Sequence, residues 1–187
     1  PCQLIELPRV FSKKGLFYCL KFEVDISKPL WLIEAQRHIG VKEIKGAKHN
    51  SFILVWLKSL SAWWSEDETP WCGVYVAHCI KKAECKLPKY WMRAKDWLNW
   101  GQSLNKPCVG CVVIFEREGG GHVGFVVGKD ANNNLMVLGG NQGDAVKVSP
   151  FQIERVAGFR WPKEYPIPTS FHLPTLNSDG KVSTNES

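Results

Sequence analysis

An α+β domain, with its helices first and an antiparallel sheet after them, is the fold class that this 187-residue sequence predicts. The first observation is a change of texture near Pro107. Before it, apolar residues recur at helical spacing in segments bounded by Pro, Gly and Asn. After it come short β-branched runs separated by Gly and Asn turns. Helices and strands segregated in this way pack as helices laid on one sheet. The second observation is composition: 44% hydrophobic and 22% charged residues over this length are enough for one full-sized core.

Three segments are expected: 1–28, 29–162 and 163–187. The first is an N-terminal extension of unknown role, in which LFYCLKFEVDI has strand-like content. From Pro29 the run PLWLIEAQRHIG reads as a short helix, with Pro29 near its first turn and Gly40 at its end. A Gly-bounded polar loop, GVKEIKGAKHN, leads to a second amphipathic helix, SFILVWLKSLSAWW, capped by Asn50 or Ser51. The acidic loop SEDETP then delivers a third helix, which starts at Cys72 and ends near 82–84. A short helical piece, YWMRAKDWLNWG, carries Trp91, Trp97 and Trp100, whose stripe reads as core. The runs CVVIFERE, HVGFVVGKD, LMVLGG, AVKVS and RVAGFRWP read as a meander, with ANNN as a hairpin turn. Beyond Pro162 the chain turns Pro-rich and then polar, a linker or disordered end.

A formal net charge of +6 favours an anionic partner surface: nucleic acid, lipid head groups or the polyanionic bacterial cell wall. Zinc-finger and RRM signatures are absent, as is any basic block that would track phosphates, so nucleic acid is not expected. The seven cysteines are an odd number, and a disulfide scaffold is not expected in a chain that can stand on its core. Cys108 and Cys111 have the C-x-x-C spacing of a redox pair or half a zinc site. Cys79 shares a helix face with Cys72 and reads as core. Pro8, Lys13 and Lys14 break the apolar start, so no signal peptide is expected, and no apolar run reaches the length of a membrane span. The chain is therefore expected to be made in the cytoplasm and to need help if it acts outside.

Chemistry concentrates at ETPWCGVYVAHC, where Cys72 sits at the point at which a loop becomes a buried helix. Free backbone N–H groups and the positive end of the dipole there favour a thiolate, and the same groups can hold an oxyanion. Asp67 and Glu68 would oppose a thiolate if they pointed at it, so both are expected to face solvent. A base is offered by GGGHVGFVVG, which puts His122 at the start of an apolar strand. LGGNQ offers Asn141 one strand later. Cys, His and Asn so placed are the parts of a papain-like arrangement, in which Asn orients the imidazole. Asn141 also suits a left-handed turn position. His49 is a rival base beside Glu43, and His38 and His78 read as structural or surface residues.

With these residues in view, the chain resembles the NlpC/CHAP superfamily of papain-like cysteine peptidases and amidases that cut bacterial cell-wall peptides. It is most similar to a subfamily found in phage lysins and in bacterial and prophage proteins. The motifs that carry the resemblance are GVKEIKG at 40–46, His49-Asn50, TPWC at 69–72, WLNWG at 97–101, GHVGF at 121–125, LGGNQ at 138–142 and RWP at 160–162, and the resemblance covers roughly 29–162. The resemblance implies an α+β papain-like fold and a peptidoglycan hydrolase. Cys72 would be its nucleophile, His122 its general base and Asn141 its third residue. Many such domains place a Glu two residues before this Asn; here that position is Gly139, so Asn141 acts alone or with Gln142. Glu43, Trp71 and Gln142 match positions that bind substrate or orient the site. No metal or cofactor is expected. The expected partner is peptidoglycan, met by a monomer without stable membrane insertion after release or delivery from a host cytoplasm. An N-acetylmuramoyl-L-alanine amidase, a silent wall-binding or assembly module, and a redox or zinc protein using Cys108 and Cys111 remain as alternatives.

Overall fold

The computed structural model describes residues 28–117, 119–178 and 181–183, so the extension expected at the N-terminus falls almost wholly outside the described residues. Three α-helices come first: α1 (Leu30–Arg37), α2 (Ser51–Ser59) and α3 (Cys72–Lys82). Trp31, Leu32 and Ala35 turn the buried stripe of α1 inward. Asn50 caps α2 by accepting from Phe52 N–H at 2.9 Å. The helix stops at Ser59, short of the expected Trp64, because Ser61 takes a left-handed φ of 56°. From Cys72 to Ile80 every residue of α3 is buried, as in the central helix of a core.

The expected helical piece before Gly101 is a 3-10 turn, Ala94–Asn99, with Trp97 and Trp100 buried. Six strands follow: β1 (Gln102–Leu104), β2 (Val112–Arg117), β3 (Gly120–Lys129), β4 (Leu135–Gly139), β5 (Lys147–Phe151) and β6 (Val156–Trp161). All neighbours are antiparallel, in the order β1-β6-β2-β3-β4-β5. The expected meander therefore holds from β2 to β5 and breaks at β6. Instead of adding beyond β5, β6 returns to the far side of β2 and pairs there and with β1. The ANNN turn is tied by Asp130, whose Oδ1 accepts from Asn132 N–H and Asn134 N–H. Helix α3 packs on β3 and β4, with Tyr75 edge-on to Phe125 at 6.2 Å.

The Pro-rich stretch after Pro162 differs from the expected linker, since it lies along the domain. Tyr165 meets Trp31 edge-on at 4.8 Å, and Trp161 Nε1 donates to the Pro166 carbonyl at 2.9 Å. Further on, Lys129 N–H donates to Pro174 O at 2.9 Å and Leu176 N–H donates to Lys129 O at 2.8 Å. Gly128 makes this docking possible, because a Cβ there would lie 2.5 Å from the Pro174 carbonyl oxygen. Among the described residues, no helix is long and apolar enough to cross a membrane.

Candidate active site

Cys72 is the first residue of α3 and is 6% exposed. The first intrahelical bond runs from Tyr75 N–H to Trp71 O at 3.0 Å, so the N–H groups of residues 72–74 lie ahead of the hydrogen-bonded ladder. No acidic residue occupies this first turn. The next residue has to be Gly73: the backbone of Trp91 and Met92 crosses so closely that a Cβ would sit 2.6 Å from both carbonyl oxygens. That crossing fixes how the helix start meets the following loop.

His122 lies on β3 opposite Phe115 of β2. Its ring stacks on Phe151 at 5.3 Å with 5° between planes, and His122 is 1% exposed. Nε2 lies 3.0 Å from Gln142 Oε1. The amide nitrogen of Gln142 donates to Lys147 O at 2.6 Å and to Val137 O at 3.2 Å. Carbonyls only accept, so this end of the amide is NH₂ and the other end is the oxygen. His122 Nε2 must then be the N–H, and Nδ1 is left with the lone pair that can take a proton.

Gly139 packs against this imidazole, and Gly140 packs against the start of α3. A Cβ on Gly139 would be 2.6 Å from Gln142 Oε1 and 3.0 Å from His122 Nε2. On Gly140 it would be 2.6 Å from Tyr75 Cβ and 2.7 Å from the Trp71 ring. One glycine thus admits the imidazole and its amide, and the other admits the residues that flank Cys72. Any side chain at position 139 would collide with the Gln142 amide.

Asn141 adopts φ 56°, the left-handed turn position its residue type suits, and is 3% exposed. Its Oδ1 makes no hydrogen bond among the described residues. Of the two candidate orienters, Gln142 holds its side-chain oxygen 3.0 Å from His122 Nε2. The turn is anchored from outside, since Gln142 N–H donates to Ala145 O and Glu43 N–H donates to Asp144 O.

Glu43 both braces and borders the site, because Oε2 accepts from Trp71 Nε1 at 3.4 Å. Partial burial raises its carboxyl pKa, and the carboxylates of Asp144, Asp67 and Glu68 add to this against the Trp71 hydrogen bond. Asp67 corrects an expectation: it is fully buried rather than solvent-facing. Its Oδ2 accepts from Ile44 N–H at 3.0 Å and Asn50 N–H at 2.8 Å, while Oδ1 lies 2.8 Å from His49 Nδ1. His49 is thereby engaged in fastening a loop. Only its pattern of charge pointed to Asp67, and charge was misread as exposure. Beside the loop into Cys72, Trp63, Trp64, Thr69, Pro70 and Met92 line a cavity of about 300 Å³.

Cys108 and Cys111 are both buried and lie in one tight turn, where Cys108 N–H points at Cys111 Sγ at 3.5 Å. A hydrogen bond from Cys111 lowers the Cys108 pKa, whereas burial pushes Cys111 well up. Among the described residues, no third metal-ligating side chain joins them.

The geometry is that of an α+β domain with a cysteine at a helix start and a tautomer-fixed histidine on the sheet. Residues 64–141 match the family model of the CHAP domain. The fold is consistent with the papain-like fold of that domain. The matched span holds Cys72, His122 and Asn141 and ends one residue before Gln142. No curated protein and no solved structure matches the chain.

Proposed function

We propose that this protein is a cysteine hydrolase of peptidoglycan that cuts a peptide or amide bond of the stem peptide. The observation that carries the reading is the fixed tautomer of His122, in a CHAP-matching segment whose helix begins with Cys72. Nδ1 of His122 takes the thiol proton, and the Cys72 sulfur attacks the carbonyl. The N–H groups at the start of α3 stabilise the oxyanion. The resulting imidazolium protonates the leaving nitrogen, which departs as an amine and leaves a thioester on Cys72. Water, deprotonated by His122, hydrolyses the thioester and restores the thiol. Gln142 accepts the Nε2 hydrogen throughout, and Asn141 shapes the turn that presents it. Glu43 lines a surface groove through which the peptide would enter, and the buried Trp71 holds it there through its Nε1 hydrogen bond. The net charge of +6 supports approach to an anionic wall, in keeping with an endolysin-like protein released or delivered to it.

The test is digestion of purified peptidoglycan by the wild type and by Cys72→Ala. The wild type should release new amino groups and the variant none. Fragment masses then separate endopeptidase from N-acetylmuramoyl-L-alanine amidase. If walls of several bacterial types stay intact under the wild type, the hydrolase reading fails and a wall-binding role takes its place.

A further inference from the structure

Away from Cys72, three helices converge on a cluster that the hydrolytic chemistry does not use. Glu34 on α1 stands four residues before His38, the residue that caps the C-terminal end of that helix, and His78 faces them from α3. Glu34 Oε1 lies 3.1 Å from His38 Nε2 and 3.4 Å from His78 Nε2. The ligating atoms of the three residues all fall within 4.8 Å of one another. The second carboxylate oxygen is held by Arg37 Nη1 at 3.2 Å, which leaves Oε1 as the vertex shared by both imidazoles. From α2, Trp56 stacks on His78 at 5.5 Å, which sets the orientation of that buried ring, and meets His38 edge-on at 5.0 Å. His78 is 4% exposed, whereas His38 also lines a surface groove with Val41 and Phe52, which gives an ion a way in.

We propose that Glu34, His38 and His78 form a zinc site that ties α1 to α3. A tetrahedral ion with bonds of about 2.0–2.1 Å holds its ligand atoms roughly 3.3 Å apart. The two separations at Glu34 Oε1, 3.1 and 3.4 Å, bracket that edge. The remaining edge, His38 to His78, closes by rotation of the more exposed His38 side chain. Two imidazoles and one carboxylate suit zinc among the common divalent ions, and water completes the coordination. No cysteine sulfur belongs to the group, so the site is an all-nitrogen-and-oxygen one. Its consequence is mechanical: the ion fastens α1 to the helix that begins with Cys72, six residues before His78.

The experiment uses the full chain, stripped with a chelator and titrated with zinc and with cobalt in a Cys72→Ser background, which removes the thiol proposed as nucleophile. Expected are one bound equivalent, a rise in Tm with zinc, and the visible bands of tetrahedral cobalt without the near-ultraviolet charge transfer of a thiolate. His38→Gln should weaken affinity by about 100-fold or more, since loss of a mere supporting partner already costs 10–100-fold. This variant replaces a partly exposed residue, and a metal-free Tm equal to that of the parent shows that it folds. His78→Phe, apolar and of similar shape, supplies a second ligand deletion. Absence of a bound equivalent, thiolate charge transfer, or equal zinc affinity in parent and both variants overturns the site. None of these readouts depends on cell-wall hydrolysis.

Discussion

One amide separates the two residues that the sequence offered as partners for His122. Gln142 anchors its NH₂ on Lys147 O and Val137 O and turns its oxygen to the imidazole. Replacing it by Leu removes the acceptor that fixes the tautomer. We expect kcat to fall by about 100-fold or more with little change in KM, as when the orienting group of a catalytic histidine is lost. Asn141→Gly preserves the left-handed backbone and should cost much less. Steady-state rates on soluble muropeptides decide this, and an equal loss in both variants would return the orienting role to Asn141. The placement of Cys72 at a helix start and of His122 on a strand was legible because a cysteine opening an apolar helix and a histidine following glycines are local patterns. Which of two adjacent side chains reaches the imidazole was not legible, because the answer depends on a left-handed turn and on acceptors from two other strands.

At the scale of elements, Asp67 joins what spacing leaves apart. Its carboxylate fastens the loop between α1 and α2 to the loop that delivers Cys72. Burial raises its pKa, but the N–H donors of Asn50 and Ile44, with His49, outweigh this and leave it below the ordinary aspartate value. A depressed carboxyl pKa gives stability that is present above the unfolded value, near 3.8, and is lost as pH falls through the folded one. Asp67→Ala should therefore destabilise by about 2–3 kcal/mol at neutral pH, mostly by stranding buried N–H groups. Denaturant melts from pH 7 to 2 should show that Asp67→Asn flattens the acid limb; an unchanged limb would remove Asp67 from the acid response. The helices themselves were readable from apolar periodicity and the Asn50 cap. The role of Asp67 was not, since a charged residue in a polar loop reads as solvated until its donors are known.

Across the whole molecule, the order of strands is what sequence withheld. Both β5 and β6 carry ordinary strand composition, and nothing local says that β6 returns to β2. The docking of the stretch after Pro162 was likewise not legible, because it rests on backbone hydrogen bonding at Lys129, close approach at Gly128, Trp161 on Pro166 O and one ring, Tyr165, on Trp31. Removing residues 163–187 exposes those partners and should lower Tm by about 5–10 °C, given 2–4 °C per kcal/mol in a chain of this size. A calorimetric trace that does not move would mean the tail rests on the domain without supporting it. The return of β6 also sets a timetable for synthesis. Strand β2 lies between β3, its immediate successor, and a partner that ends at Trp161. On the ribosome the helix that bears Cys72 emerges long before that partner, and non-local pairing of this kind is slow to form. A nascent chain therefore carries the finished Cys72 helix on an unfinished sheet, and the centre proposed here matures among the last parts of the fold.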